Sequence, residues 1–304
     1  MHPNEAVTAW LYARDYSPKT REWYDLQMRV FVDFCTQQGI TDCSDITKDI
    51  VVPYLRFVGQ RMNPQKGTLV SSHTVHAYAR ALKAFLNWAA ERGLVDVKVT
   101  HKLPMPKREG KVIAVFTPLH IDRLLRAASM STHPERDKTI ISVLLDTGIR
   151  ANELCTLTMP NVHFDREDAW LQVHGKGDKW RVVGLGRQAR NTLHWYIHRH
   201  RHAPDSPLVF LGDRGQLTPN GLDQMLYRLR DAAGASSFNG VRVSAHTFRH
   251  TYAYNYIKAG GNIFQLSILM GHTELKVTME YLKAFTAHDA RKGLSVLDTM
   301  VGRR

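Results

Sequence analysis

From Thr100 to Val115 the apolar periodicity that organises the rest of this 304-residue chain stops, and this interruption limits how the chain can fold. Lys102, Pro104, Pro106, Lys107, Arg108, Gly110 and Lys111 offer no face to bury, so the stretch reads as an extended basic connector between two separately cored units. A chain of this length holds one large or two ordinary domains. The expected division is a helical domain over 1–99, a linker over 100–115 and a larger domain over 116–304.

On the N-terminal side the periods are helical. Ser17 and Pro18 open one helix and Gly39 closes it, with Trp23, Leu26, Val30, Phe31 and Phe34 on one stripe. A second starts near Ser72, carries Val75, Tyr78, Leu82, Phe85, Leu86 and Ala89 on one face, and stops at Gly93. Shorter helices are expected over 4–14 and 47–62. Beyond the connector, helical patterning resumes at Thr117-Pro118, with Ile121, Leu124, Leu125 and Ala128 on one side. Trp170 to Val173 and Trp180 to Val183 read as strands of a hairpin around Gly175-Lys176-Gly177-Asp178-Lys179. Helices are then expected to the end. The fold class is therefore mainly α with a small antiparallel sheet in the C-terminal part.

Charge supports a polyanionic partner. The chain carries 41 Lys plus Arg against 28 Asp plus Glu, a formal +13. Residues 1–105 hold 13 basic and 10 acidic side chains and residues 106–304 hold 28 and 18, so the excess lies mainly in the larger part. Cys35, Cys43 and Cys155 form no metal or disulfide pattern, which fits a reducing cytosol. No apolar signal segment or run of bilayer length is present, and a soluble, intracellular protein without membrane contact is expected.

Within that basic part lies an ordered set: Arg150, His246-Thr247-Phe248-Arg249-His250, Gly271-His272 and Tyr281. Two guanidiniums grip non-bridging phosphate oxygens and hold transition-state charge. Histidines bind phosphate or move protons near neutral pH, and a tyrosine hydroxyl can form a covalent intermediate. Alone, each residue has an ordinary reading: a core tyrosine, a satisfied histidine, an arginine paired with Glu153. The order and spacing together single them out.

The set resembles the tyrosine recombinase (integrase) family, whose motif runs Arg, Lys, His-x-x-Arg, His or Trp, then Tyr. Arg150, His246, Arg249, His272 and Tyr281 fall on its positions, and Lys176 resembles the lysine of its β-hairpin. The resemblance covers most of residues 113–285 and, more loosely, the first hundred. It implies a two-domain C-shaped clamp with a SAM-like N-terminal DNA-binding domain. It also implies attack by Tyr281 on DNA to leave a 3′-phosphotyrosyl link, without metal, ATP or cofactor. Arg150 and Arg249 would clamp the phosphate. Lys176 would protonate the leaving 5′ oxygen, with Lys179 a competitor on the same turn. His246 would take the tyrosine proton or bind a phosphate oxygen, and His272 would hydrogen-bond the phosphate. Glu153 would orient Arg150 or His246, and His250 would support the site. Lys107, Arg108, Lys111, Lys179 and Arg181 are the expected DNA contacts.

Partners implied are double-stranded recombination sites, a homotetramer on paired sites docked through a tail after Tyr281, and accessory proteins. The place of action is the cytoplasm, on the nucleoid. A type IB topoisomerase shares the chemistry, and a non-catalytic DNA-binding regulator shares the scaffold. The intact residue set weighs against the regulator, and the short N-terminal domain and Gly-Lys-Gly hairpin resemble recombinases. An N-terminal domain beginning almost at residue 1 leaves no room for an extra arm-binding domain. Val277 to Leu282 departs from the Xer pattern of Thr-Thr-Gln-x-Tyr-Thr-His, which favours a mobile-element integrase or resolvase over chromosome dimer resolution. His194, His198 and His202 recur every four residues, but no carboxylate or cysteine is spaced beside them and a basic face is the expectation. Asp165 and Asp168 are read as turn residues before a strand.

Overall fold

Inside the basic connector the chain divides into two compact units, residues 1–111 and 112–304. The computed structural model describes residues 1–281 except 65–66, 102, 104, 107–112, 166–167, 176 and 204. Lys107, Arg108, Lys111, Lys176 and the tail beyond Tyr281 therefore lie outside the described residues.

The first unit contains α1 (Pro3–Ala13), α2 (Pro18–Gln37), α3 (Lys48–Gly59), a two-residue hairpin of β1 (Met62–Asn63) and β2 (Thr68–Leu69), and α4 (Ser72–Glu91). Side chains fix the helix starts: the Ser17 and Ser71 hydroxyls accept the Thr20 and Thr74 amides. The core is aromatic. Trp10, Phe31, Tyr54 and Phe85 are all at most 1% exposed, and the Phe31 and Tyr54 rings meet edge-on at 5.1 Å. Two expectations change here. Leu26 is 54% exposed and Met28 occupies the inward position, because the stripe drifts around a helix of 20 residues. The helix expected over 47–62 stops at Gly59, and Met62 pairs with Leu69 instead.

The second unit begins with α5 (Pro118–Ser129), α6 (Pro134–Thr147) and α7 (Ala151–Cys155). An antiparallel sheet follows in the order β3 (Val162–Phe164), β4 (Ala169–Gly175), β5 (Lys179–Gly184). Next come α8 (Arg187–Trp195), extended by a π-helical turn over Tyr196–His200, and a small hairpin of β6 (Leu211–Gly212) and β7 (Gly215–Gln216). The last helices are α9 (Pro219–Ala232), α10 (Ala245–Lys258), α11 (Ile263–Met270) and α12 (Leu275–Met279). Alternation on β4 sends Ala169, Leu171 and Val173 into a core shared with Ile140, Leu144 and Phe248. Full burial of each large apolar side chain there contributes roughly 1.5–3 kcal/mol. Helices dominate and the sheets are small and antiparallel, as the patterning predicts. The strands β3, β6 and β7, of two or three residues, carry no periodicity that sequence reasoning detects.

Candidate active site

Two helix ends build the site. Gly148 terminates α6 at φ 60°, and Gly271 terminates α11 at φ 62°. Both lie in the left-handed region that glycine adopts without strain. A Cβ on Gly148 would come within 2.4 Å of the Tyr252 ring, so that position has no room for another residue. Helix C-termini expose unpaired carbonyls and carry partial negative charge, which suits cations. Three arginines use them. Arg249 donates to the carbonyls of Gly148 (2.7 Å) and Met270 (2.5 Å), Arg150 to that of Gly271 (3.1 Å), and Arg181 to that of Leu269 (2.7 Å).

Glu153 links two of these arginines. It sits in the first turn of α7 with its side chain 2% exposed. Its Oε2 accepts the Arg150 amide (2.7 Å) and its Oε1 the Arg150 guanidinium (2.9 Å). Arg181 approaches from β5 and donates to both oxygens at 2.8 Å. Burial alone raises the carboxyl pKa, but the Arg181 hydrogen bond, the Arg150 amide, the Arg181 charge and the Arg150 side-chain hydrogen bond outweigh it and hold Glu153 at about 2. Of the alternatives left by the sequence, the described partners of Glu153 are Arg150 and Arg181, not His246. Arg181, expected on the DNA, instead points inward and is 9% exposed at its side chain. It shares the inner face of β5 with Val183.

Arg249 is 4% exposed, and its pKa is lowered to about 10 by burial and then by Arg150, so it stays charged at neutral pH. Its Nη2 also donates to His272 Nε2 at 2.9 Å. The other ring nitrogen, Nδ1, lies 2.8 Å from Thr278 Oγ1. Burial, followed by the charges of Arg249, Arg150 and Arg181, lowers His272 to about 4. His250 is likewise lowered to about 4, by burial, His246 and Arg249, and its Nδ1 has no hydrogen-bond partner among the described residues. His246 is shifted down by burial and by Arg249 and Arg242. All three imidazoles are thus neutral near pH 7.

Tyr281 is 4% exposed and packs on Ala253, Leu266 and Met270. Its ring lies 5.3 Å from that of His250, and that of His250 4.1 Å from His246. Burial raises the phenol pKa, while the charge and hydrogen bond of Arg249 oppose the rise. Arg150, His246, Arg249, His250, His272 and Tyr281 line one cleft of about 390 Å³, together with Ile113, Val277 and Glu280. A cleft with two guanidiniums, neutral imidazoles and a phenol can hold an anionic ester, take up a proton and attack.

Lys179 is exposed at the start of β5, opposite Gly175. A Cβ on Gly175 would meet Lys179 O at 3.3 Å and Glu153 Oε1 at 3.4 Å, so this glycine lets the hairpin base lie over the buried carboxylate. Gly177 and Asp178 take φ 77° and 56°, as a tight hairpin turn requires. The His194 and His198 rings lie 4.3 Å apart, tilted by 45°, with His202 beyond the helical turn. Among the described residues no group of three or more ligand-type side chains is placed to hold a metal ion, and no helix is long and apolar enough to cross a membrane. Asp168 accepts the Ala169 amide at the start of β4. Sequence reasoning missed Ile113 and Thr278 at the site. The short apolar run Val112 to Phe116 was the only signal for the first, and the second falls on a threonine of the Xer pattern, three residues before the tyrosine.

A profile of the Phage integrase family matches residues 114–288. Tyrosine recombinase XerD of Listeria monocytogenes serotype 4b (strain F2365) is 26% identical over 276 residues, covering 88% of this chain and 89% of that protein. Tyrosine recombinase XerC of Roseiflexus castenholzii (strain DSM 13941 / HLO8) is 28% identical over 291 residues, covering 91% and 88%. In fold, the Tn1549 transposon integrase in complex with transposon right end DNA superposes with a TM-score of 0.75 at 18% identity, covering 96% of this chain and 98% of that one. XerH bound to palindromic difH substrate gives 0.72 at 18%, covering 98% and 84%.

Proposed function

This chain belongs to the phage integrase family, and from that membership we propose that its cleft cuts and rejoins DNA through Tyr281. It is a tyrosine-type site-specific DNA recombinase, and DNA is its substrate. The Tyr281 oxygen attacks the scissile phosphorus, forming a 3′-phosphotyrosyl bond as the 5′ oxygen departs. A different 5′ hydroxyl reverses the step and exchanges the strand, with the bond energy conserved.

The observation that carries this reading is the convergence of Arg150, Arg249 and Tyr281 on one cleft. Arg150 uses Nη1 toward Glu153 and Nη2 toward Gly271, which leaves three of its five N–H groups for phosphate oxygens. Neutral His246, the more open of the cleft histidines, takes the phenol proton. Lys176, which lies outside the described residues, protonates the leaving 5′ oxygen, with Lys179 as the competing donor on the same turn. Residues 1–99 grip the DNA with Lys107, Arg108 and Lys111 of the linker.

Exchange between two duplexes requires four tyrosines at one junction, so the active assembly is a homotetramer on paired sites, docked through residues 289–304. Accessory proteins and a cytoplasmic, nucleoid-associated location belong to the same reading. Val277-Thr278-Met279-Glu280-Tyr281-Leu282 supports a mobile-element role within an otherwise Xer-like chain. The test is a nicked suicide substrate in EDTA. Wild type forms a covalent protein–DNA band, while Tyr281→Phe binds DNA and forms none. A band that requires magnesium, or that persists in Tyr281→Phe, refutes the reading.

A further inference from the structure

We propose that Thr278 is a positioning residue that fixes the tautomer of His272 and, through it, the orientation of Arg249. A guanidinium has no acceptor, so the 2.9 Å contact from Arg249 Nη2 requires a lone pair on His272 Nε2. The ring proton of a neutral imidazole then resides on Nδ1, which donates to Thr278 Oγ1 at 2.8 Å. Thr278 is 0% exposed, so water does not compete for that hydroxyl. A proton on Nε2 would instead set N–H against N–H and remove one of the three contacts of Arg249.

Two consequences follow. In the DNA-free cleft His272 turns an acceptor, not a donor, toward Arg249. Thr278 also lies on α12, three residues before Tyr281, so the same contact ties the clamp to the segment bearing the nucleophile. The seated segment thus adds a side-chain restraint to the two carbonyls of Gly148 and Met270 that already hold Arg249.

The tautomer is a property of the DNA-free protein, and only its kinetic effect rests on the strand-cleavage reading. The full ¹⁵N-labelled chain, with His272 assigned by the loss of its signals in His272→Gln, is examined by long-range imidazole NMR near neutral pH. Wild type is expected to show a protonated Nδ1 and a bare Nε2. Thr278→Val should shift the balance toward protonated Nε2 and slow single-turnover cleavage of a suicide site by about tenfold, with site binding unchanged. Thr278→Ser should restore both.

A protonated Nε2 or an imidazolium in wild type overturns the proposal. So does slowed cleavage in Thr278→Val without a tautomer shift, a shift without slowed cleavage, or a Thr278→Ser variant that restores neither. If wild type itself does not cleave, the strand-cleavage reading fails, while the wild-type spectrum still decides the tautomer.

Discussion

The first unit packs Trp10, Phe31, Tyr54 and Phe85 with ring-to-ring distances of 5.1 to 6.2 Å and, among its described residues, buries no charged side chain. The second unit buries Arg136, Asp137, Glu153 and Arg249. An apolar interior stabilises by area removed from water and needs no special geometry beyond close packing. A buried charge costs several kcal/mol in desolvation, which only well-aligned partners offset. Arg136 and Asp137 form such a pair at 2.9 Å, with Arg136 also holding the Leu211 carbonyl, and this pair lies away from the cleft. Glu153 and Arg249 border the cleft itself. The comparison teaches that the second unit accepts unfavourable burial at the cleft, where the proposed chemistry calls for fixed, desolvated guanidiniums.

Truncation in each interior tests this contrast. Phe85→Ala should destabilise the first unit by about 3–5 kcal/mol, because the cavity it leaves cannot collapse within a ring-packed core. Chemical denaturation measures the loss, and amide hydrogen exchange assigns it to residues 1–111. A loss under about 1 kcal/mol would mean that the aromatic core is not what stabilises this unit.

Glu153→Gln should destabilise the second unit by about 3 kcal/mol, since it leaves the nearly buried Arg181 beside a neutral amide. The same substitution should slow cleavage, because one of the two oxygens that restrain Arg150 becomes an amide NH2 that cannot accept. Stability and rate falling together ties burial to chemistry; a loss of stability at wild-type rate would separate them.

The acid limb gives a smaller effect. His250 and His272, at about 4, lie below the ordinary histidine value of 6.5. Their depressed values contribute stability that is complete above 6.5 and lost as pH falls toward 4. Glu153, lowered from 4.5 to about 2, contributes stability that is complete above 4.5 and lost as pH falls toward 2. Unfolding of the second unit between pH 6.5 and 4 should therefore follow uptake of about two protons, which the first unit should not share. Equal acid slopes for both units would break the comparison.

The same contrast explains what was legible in the sequence. Ser17 and Ser71 cap α2 and α4 where side-chain chemistry predicts, and Phe31, Phe34, Leu82 and Phe85 face inward as helical spacing requires. Arg150, His246, Arg249, His272 and Tyr281 were identified by order and spacing, and they meet in one cleft. The inward turn of Arg181 was not read, because Trp180-Arg181-Val182-Val183 has apolar residues on both faces and alternation alone does not say which face is buried. Trp180 and Val182 proved to be the exposed pair. The carbonyls of Gly148, Leu269 and Met270 meet the arginines through tertiary placement, which leaves no local pattern in a sequence.

The central claim is that Arg249 acts through fixed geometry and not through charge alone, and Arg249→Lys tests it most directly. Lysine keeps the positive charge but cannot donate at once, in a planar fork, to Gly148, Met270 and His272. Single-turnover cleavage of a nicked suicide site, measured beside equilibrium binding of the same site, separates the two contributions. We predict a rate lower by about two to three orders of magnitude at nearly unchanged affinity. Cleavage by Arg249→Lys at the wild-type rate would contradict the account.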